Sequence, residues 1–335
     1  MKKRWFSALL AMTLLLGMAC SCAAPAGESG EEDIELGVIL EDMGVPLAGL
    51  PPVGIVLNPS APGTAVEKNS SAVIDYSNAK DGYVMVKWTG GGTPTIKVLV
   101  WGPNCTKQED AYQYFLRTDG EYDVLPLSDG NGKYKISVHK RVAEPSKYSG
   151  VLATSFSVTL TDEFAPFLRP NQYVNYSEDS EVVAKAQELI DEAEAAAGTS
   201  VDNLTKVGVV YEWVVTNLKY DFAKAKTVKA GYLPDIDKVM EEKKGICWDY
   251  ASLMASMLRS QGVPVKVVVG YTSRGEYHAW INVWSEEDGW VEGMIYFDGK
   301  IWKLMDPTFA SSGKQTKKTM DYISDSSNYK ERFYY

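Results

Sequence analysis

The spacing of apolar positions changes along the chain near residue 170. From about 72 to 168 it has a period of two. Residues 83–88 (YVMVKW) and 95–101 (TIKVLVW) are rich in β-branched and aromatic residues, and Gly90-Gly91-Gly92-Thr93-Pro94 separates them. Residues 133–139 alternate strictly, with Tyr134, Ile136 and Val138 on one face, and 155–160 alternate as well. Asp129-Gly130-Asn131-Gly132 between strands is a turn signal. Short strands at this spacing predict a small antiparallel sandwich. Ala165 to Pro170 then reads as a linker, and helical spacing follows. Residues 181–197 are rich in Ala, Glu and Lys and stop at Gly198. Residues 202–218 carry Leu204, Val207, Tyr211, Val214, Val215 and Leu218 as an apolar stripe. Pro234-Asp235 opens a short helix toward Lys243, and 247–262 form another. Strands follow at 264–271, 276–284 and 302–306. The pattern predicts an α+β domain over 175–335, preceded by an all-β, Ig-like domain over 72–168.

The N-terminus reads as an export signal. Lys2, Lys3 and Arg4 precede an apolar run from Trp5 to Ala19, which is too short for an ordinary membrane span. The run ends in Leu16-Gly-Met-Ala-Cys-Ser-Cys22 and resembles a bacterial lipoprotein signal, with Gly17 where Leu is usual. That resemblance implies a signal peptide over 1–19 and lipid on Cys20; Cys22 as the acceptor, or a plain signal peptide, is the alternative. Residues 20–71, rich in Ala, Gly, Pro, Glu and Ser, then read as a tether and linker. The expected location is extracytoplasmic, on the bacterial cytoplasmic membrane, held by the lipid anchor only.

The formal charge of −10 argues against a nucleic-acid partner, because phosphate binding needs a concentrated basic face. Cys20, Cys22, Cys105 and Cys247 make no disulfide framework for an exported chain of 335 residues, and no Cys-x-x-Cys pair or His cluster points to a metal. His139 falls on the polar face of its strand with Lys133, Lys135 and Ser137, which assigns it to solvent. Asp129 reads as a turn residue rather than a calcium ligand.

The chemistry concentrates in 244–262 (KGICWDYASLMASMLRSQG). At about 100° per residue, Asp249, Ser252, Ser256, Arg259 and Ser260 cluster on one side of a helix. Cys247, Ala251, Met254 and Leu258 line the other. A cysteine in the first turn meets unpaired N–H groups and the positive end of the helix dipole, which favour the reactive thiolate and offer a donor to an oxyanion. A buried structural cysteine is the alternative for this segment alone. Downstream, His278 begins a strand in which Trp280, Asn282 and Trp284 share its face, and Asp306 closes another strand before Pro307. A histidine there is a candidate base, and the aspartate a candidate orienter of its ring.

These blocks resemble the transglutaminase-like superfamily: Gly245-x-Cys247-x-Asp249-x-Ala251, Leu258-Arg259, Gly262-x-Pro264 and Gly270-Tyr271, then His278-Ala279-Trp280, then Asp306-Pro307-Thr308. The resemblance implies a papain-like arrangement of a cysteine helix on an antiparallel sheet. It also implies Cys247 as nucleophile, His278 as base and Asp306 as orienter, with no cofactor. Animal transglutaminases have Gln where this chain has Ile246. Papain-type proteases place an oxyanion Gln where this chain has Glu241, so the second oxyanion donor is unassigned. Tyr220 is a candidate for lining the cleft or for the core. The implied activity is thiol-dependent acyl transfer on amide bonds of proteins or cell-wall peptides, as peptidase, amidase or transglutaminase. The competing reading is a non-catalytic surface module that binds peptide or glycan through its many aromatic residues. The two strands that bear His278 and Asp306 are expected side by side and antiparallel, with 285–300 as an excursion between them.

Overall fold

In a computed structural model, the structure describes Gly54 and residues 56–143, 147–229, 231–291, 295–297, 302–304 and 326–335. Cys20, Cys22 and Asp306 lie outside the described residues.

Eight strands build the N-terminal sandwich: β1 (Val66–Lys68), β2 (Ala72–Asp75), β3 (Tyr83–Trp88), β4 (Ile96–Trp101), β5 (Tyr112–Phe115), β6 (Asp123–Pro126), β7 (Gly132–Ala143) and β8 (Lys147–Val158). They form two antiparallel sheets, in the orders β1-β2-β3-β6 and β5-β4-β7-β8. Alternation drives the packing. Ile96, Val98 and Val100 of β4 point inward with Tyr134, Ile136 and Val138 of β7, against Ile74, Val84 and Leu125 of the first sheet. β1 falls within the stretch expected to be linker, and β5 and β6 were not legible from periodicity. β7 and β8 run longer than their apolar alternation, because the extra turns of ladder carry polar residues such as Lys140, Arg141, Tyr148 and Ser149. His139 is half-buried; its Nε2 lies 2.9 Å from Ser137 Oγ. Burial and the nearby Lys135 and Lys97 depress its basicity.

The second half contains the helices α1 (Glu181–Ala197), α2 (Asn203–Asn217), α3 (Phe222–Thr227), α4 (Ile236–Glu242) and α5 (Cys247–Arg259). A short parallel pair joins β9 (Lys219–Tyr220) to β10 (Lys244–Gly245). The main sheet has the order β13-β12-β11-β16, from β11 (Val265–Thr272), β12 (Tyr277–Ser285), β13 (Gly289–Val291) and β16 (Tyr329–Tyr334). α5 packs on β11 and β12, with Tyr250, Leu253, Met254 and Met257 in one cluster with Val267, Val269, Ala279 and Ile281. Two features differ from expectation. Gly289–Val291, inside the expected excursion, pairs with Val283–Ser285. Among the described residues, β15 (Trp302–Leu304) pairs with β14 (Ile295–Phe297) and not with β12.

The connection between the halves includes Ala165 to Pro170, the stretch read as a linker. It is a buried strap: Ala165, Phe167, Leu168, Asn171, Tyr173, Val174 and Tyr176 are all buried. Pro166 lies within a short 3-10 turn, Ala165–Phe167, and side chains satisfy the backbone of the strap. Asn171 Oδ1 accepts from the N–H groups of Tyr173 and Val174. Pro51–Tyr335 accordingly cluster as one compact unit, and one apolar cluster runs through both halves.

Arg259 ties this together. It is completely buried, and its guanidinium donates to Val265 O (3.1 and 2.6 Å), Arg169 O (2.8 Å) and Tyr335 O (2.7 Å). Helix α5, strand β11, the strap and the end of β16 thus meet on one planar fork. Burial lowers its pKa to about 10, so it stays charged at neutral pH. The polar side of α5 read from the helical spacing is therefore buried as completely as its apolar side.

Candidate active site

Helix α5 begins at Cys247 because Asp249 folds back to cap it. Asp249 Oδ2 accepts the Ile246 N–H at 2.7 Å. A Cβ at Gly245 would lie 2.5 Å from Asp249 Cβ, so only glycine leaves room for that return. The Asp249 carboxylate is fully buried and is satisfied by two further groups. Lys224 Nζ donates to Oδ2 (2.7 Å) and Tyr232 Oη to Oδ1 (2.5 Å), while Lys224 also reaches Tyr232 Oη (2.5 Å). Burial, with the Asp249 charge beside it, holds the Tyr232 phenol far above its usual range. Lys224, Tyr232 and Asp249 thus fix the start of the helix where the thiol stands. Neither Lys224 nor Tyr232 was recognisable in sequence, since loop length does not reveal which side chains return to a helix end.

Cys247 is half-buried and opens on a cleft of about 570 Å³, within the roughly 300–1,000 Å³ of small-ligand sites. The unpaired N–H groups of the first helical turn face the same end. The β9–β10 bridge sets Tyr220 opposite Gly245, and Tyr220 lines the cleft. Trp248 stacks on Tyr173 of the strap at 4.8 Å between ring centroids. Tyr173 in turn donates to Gln113 O of β5. Gln113 and Phe115 of the sandwich complete one wall, so the β domain contributes to this cleft directly.

β12 enters the cleft through Tyr277, which lines it beside Cys247. Burial, with Tyr271 and Cys247 nearby, pushes the Tyr277 phenol upward against the opposing pull of Arg332. His278, the next residue, is buried, and its ring lies roughly parallel to that of Trp280 at 6.5 Å between centroids. Ala279, Ile281 and Val283 of β12 belong to the apolar cluster that holds α5. Gly270 pairs with His278, and a Cβ there would lie 2.0 Å from Lys330 O, which explains the glycine of the Gly270-Tyr271 motif. The structure thus brings Cys247 and the start of β12, where His278 follows Tyr277, together. Among the described residues no group of three or more His, Cys, Asp or Glu converges as a metal site would.

The other described cysteine has a different setting. Cys105 Sγ accepts from Gly102 N–H (3.3 Å) and donates to Asp110 O (3.2 Å), with Asp129 at 3.9 Å. Burial first, then the charges of Asp129 and Asp110, push its pKa up from about 9.0. The folded protein therefore keeps this proton at pH values where the unfolded chain releases it. Stability from this group is intact below about pH 9 and is lost as pH rises toward the folded-state value. Urea midpoints should fall as pH rises above about 9, and Cys105→Ala should flatten part of that fall; an unchanged slope would refute the assignment.

Residues 191–293 match the family model of the transglutaminase-like superfamily. The chain thus carries a transglutaminase-like domain, of mixed helix and sheet, behind a sheet-rich N-terminal region. Over 68 residues it is 35% identical to a protein-glutamine gamma-glutamyltransferase of Pseudomonas aeruginosa, covering 16% of this chain and 10% of that one. Over 71 residues it is 37% identical to the uncharacterized protein YebA of Bacillus subtilis, again covering 16% and 10%. The chain therefore spans about a tenth of the length of these curated relatives. A solved transglutaminase of red sea bream aligns with 72% of this chain and 53% of its own, at 13% identity and a TM-score of 0.30.

Proposed function

We propose that the protein performs cysteine-dependent acyl transfer on amide bonds of protein or cell-wall peptide substrates. The observation that carries this is Cys247 at the first turn of a capped, buried helix, open to an aromatic cleft. In the proposed reaction the Cys247 sulfur attacks the amide carbonyl, and its proton passes to His278. The oxyanion takes the Cys247 backbone N–H. The C–N bond then breaks, and the leaving amine takes the proton from His278. Water or a second amine, deprotonated by His278, resolves the thioester and restores the thiol. Asp306 holds the imidazole in the tautomer this needs. This reading requires the His278 ring within hydrogen-bond reach of the Cys247 sulfur. The proposal also keeps export, removal of residues 1–19 and lipid on Cys20, for which the intact mass of membrane-extracted protein is the readout. Incubating the full chain with casein and with cell-wall peptides, with and without a labelled primary amine, tests the activity. Cleavage without amine incorporation means hydrolysis, and incorporation means transamidation. Neither product, with peptide still bound, would replace this reading with that of a binding module.

A further inference from the structure

Acidic residues outnumber basic ones in this chain, 44 against 34. The described residues lining the Cys247 cleft reverse that balance: they include Lys229 and Arg332 and no aspartate or glutamate. Lys224 lies nearby, but its charge is met by Asp249. Among the described residues no carboxylate forms an ion pair with Lys229 or Arg332.

Arg332 is aimed by the fold. Along β16 the pairing jumps from Val269↔Phe333 to Gly270↔Glu331, so Arg332 is the extra residue of a bulge, a device that redirects a side chain. Its guanidinium donates to Glu109 O of the sandwich (3.1 Å) and lies over the Phe333 ring at 5.0 Å from its centre. A carbonyl and a ring face orient the group while leaving its charge unneutralised. Much of the remaining wall is aromatic, with Phe115, Tyr220, Tyr232 and Tyr277 among its residues. Low-polarity walls around a cation strengthen its attraction for an anion. Tyr277 neighbours both Arg332 and Cys247, so an anion held by Arg332 would lie a short distance along the cleft from the thiol.

We infer that the cleft selects acidic peptide segments, with Arg332 as the specificity-determining residue that meets a carboxylate and Lys229 adding to the field. The inference rests on the acyl-transfer reading only for what happens to the peptide afterwards; recognition is a property of the cleft.

The test uses the full chain carrying Cys247→Ala, so that no peptide is consumed. Three peptides of equal length carry a central glutamine flanked by Asp, Asn or Lys, and dissociation constants are read from fluorescence anisotropy. The Asp peptide should bind about tenfold tighter than the Asn peptide at low salt, the size of one partly screened charge contact. The Lys peptide should be weakest, and the spread should shrink in 0.5 M NaCl. Arg332→Gln should collapse the Asp-to-Asn ratio, and Arg332→Glu should reverse the Asp-to-Lys order; the exposed position makes both compatible with folding. Equal constants for the three peptides, or a ranking that survives Arg332→Glu, would overturn the inference. Parallel turnover assays with the Cys247 protein separate the two readings. Ranked binding without turnover sinks acyl transfer and leaves recognition standing. Turnover of all three peptides at equal affinity does the opposite.

Discussion

Cys247→Ala is expected to lower amide turnover by on the order of 10⁶-fold, the scale on which a covalent nucleophile acts together with its base. His278→Ala should cost about as much, and the double variant should be no worse than either single one, because nucleophile and base act as one unit. Asp306→Asn should lose roughly 10³–10⁴-fold by favouring the wrong imidazole tautomer. The fold should survive Cys247→Ala, since a half-buried thiol is replaced by a slightly smaller group at a helix start whose cap is Asp249. Iodoacetamide at mildly acidic pH supplies an independent readout. It should modify Cys247, which opens on the cleft, well before Cys105, whose half-buried thiol is pushed up by desolvation and then by the charges of two carboxylates. Loss of histidine should slow the modification of Cys247 and leave that of Cys105 unchanged. Equal labelling of both cysteines, or full turnover by His278→Ala, would remove Cys247 and His278 from the roles assigned to them.

The largest stability effect is expected at Arg259. Replacing it with Met keeps much of the volume and removes a buried charge, which is favourable in itself. It also strips donors from the carbonyls of Val265, Arg169 and Tyr335 in a site closed to water. Each orphaned acceptor costs about 1–3 kcal/mol, so a net loss of about 3 kcal/mol or more is expected. Arg259→Lys should recover only part, because an ammonium does not present a planar fork. Urea unfolding measures the loss, and limited proteolysis locates it. Cleavage within 165–176 should be slow in the natural protein, where the strap is buried, and fast in Arg259→Met. A midpoint within 0.5 kcal/mol of the natural protein (~0.5 being ordinary for a surface change) would mean that the strap is held by its apolar packing alone.

Much of the fold was legible because burial imposes a period on the sequence. β4 and the central part of β7 alternate since one face packs on the opposing sheet, β3 is rich in β-branched and aromatic residues because both its faces are largely buried, and α1 and α2 carry stripes at helical spacing. The start of α5 was legible for a local reason: Gly245 admits Asp249, and Asp249 caps the helix at Cys247. β1, β2, β5 and β6 escaped since three or four residues are too few to show a period. The burial of the strap was not legible, because proline reports backbone shape and not exposure.

By itself, the sequence determined the order of a β region and an α+β region, the helix that begins at Cys247 and the strand that begins at His278. These follow from local spacing, glycine geometry and capping, which involve residues only a few positions apart. Tertiary structure alone decided what surrounds the thiol. Lys224 and Tyr232 reach Asp249 from another helix and loop, Gln113 and Phe115 reach the cleft from the sandwich, and Arg332 reaches it from a bulge in β16. It also decided that Tyr277 of β12 lines the cleft beside Cys247. Such pairings join segments up to more than two hundred residues apart, as Arg332 and Glu109 are, and no periodicity in the chain encodes them.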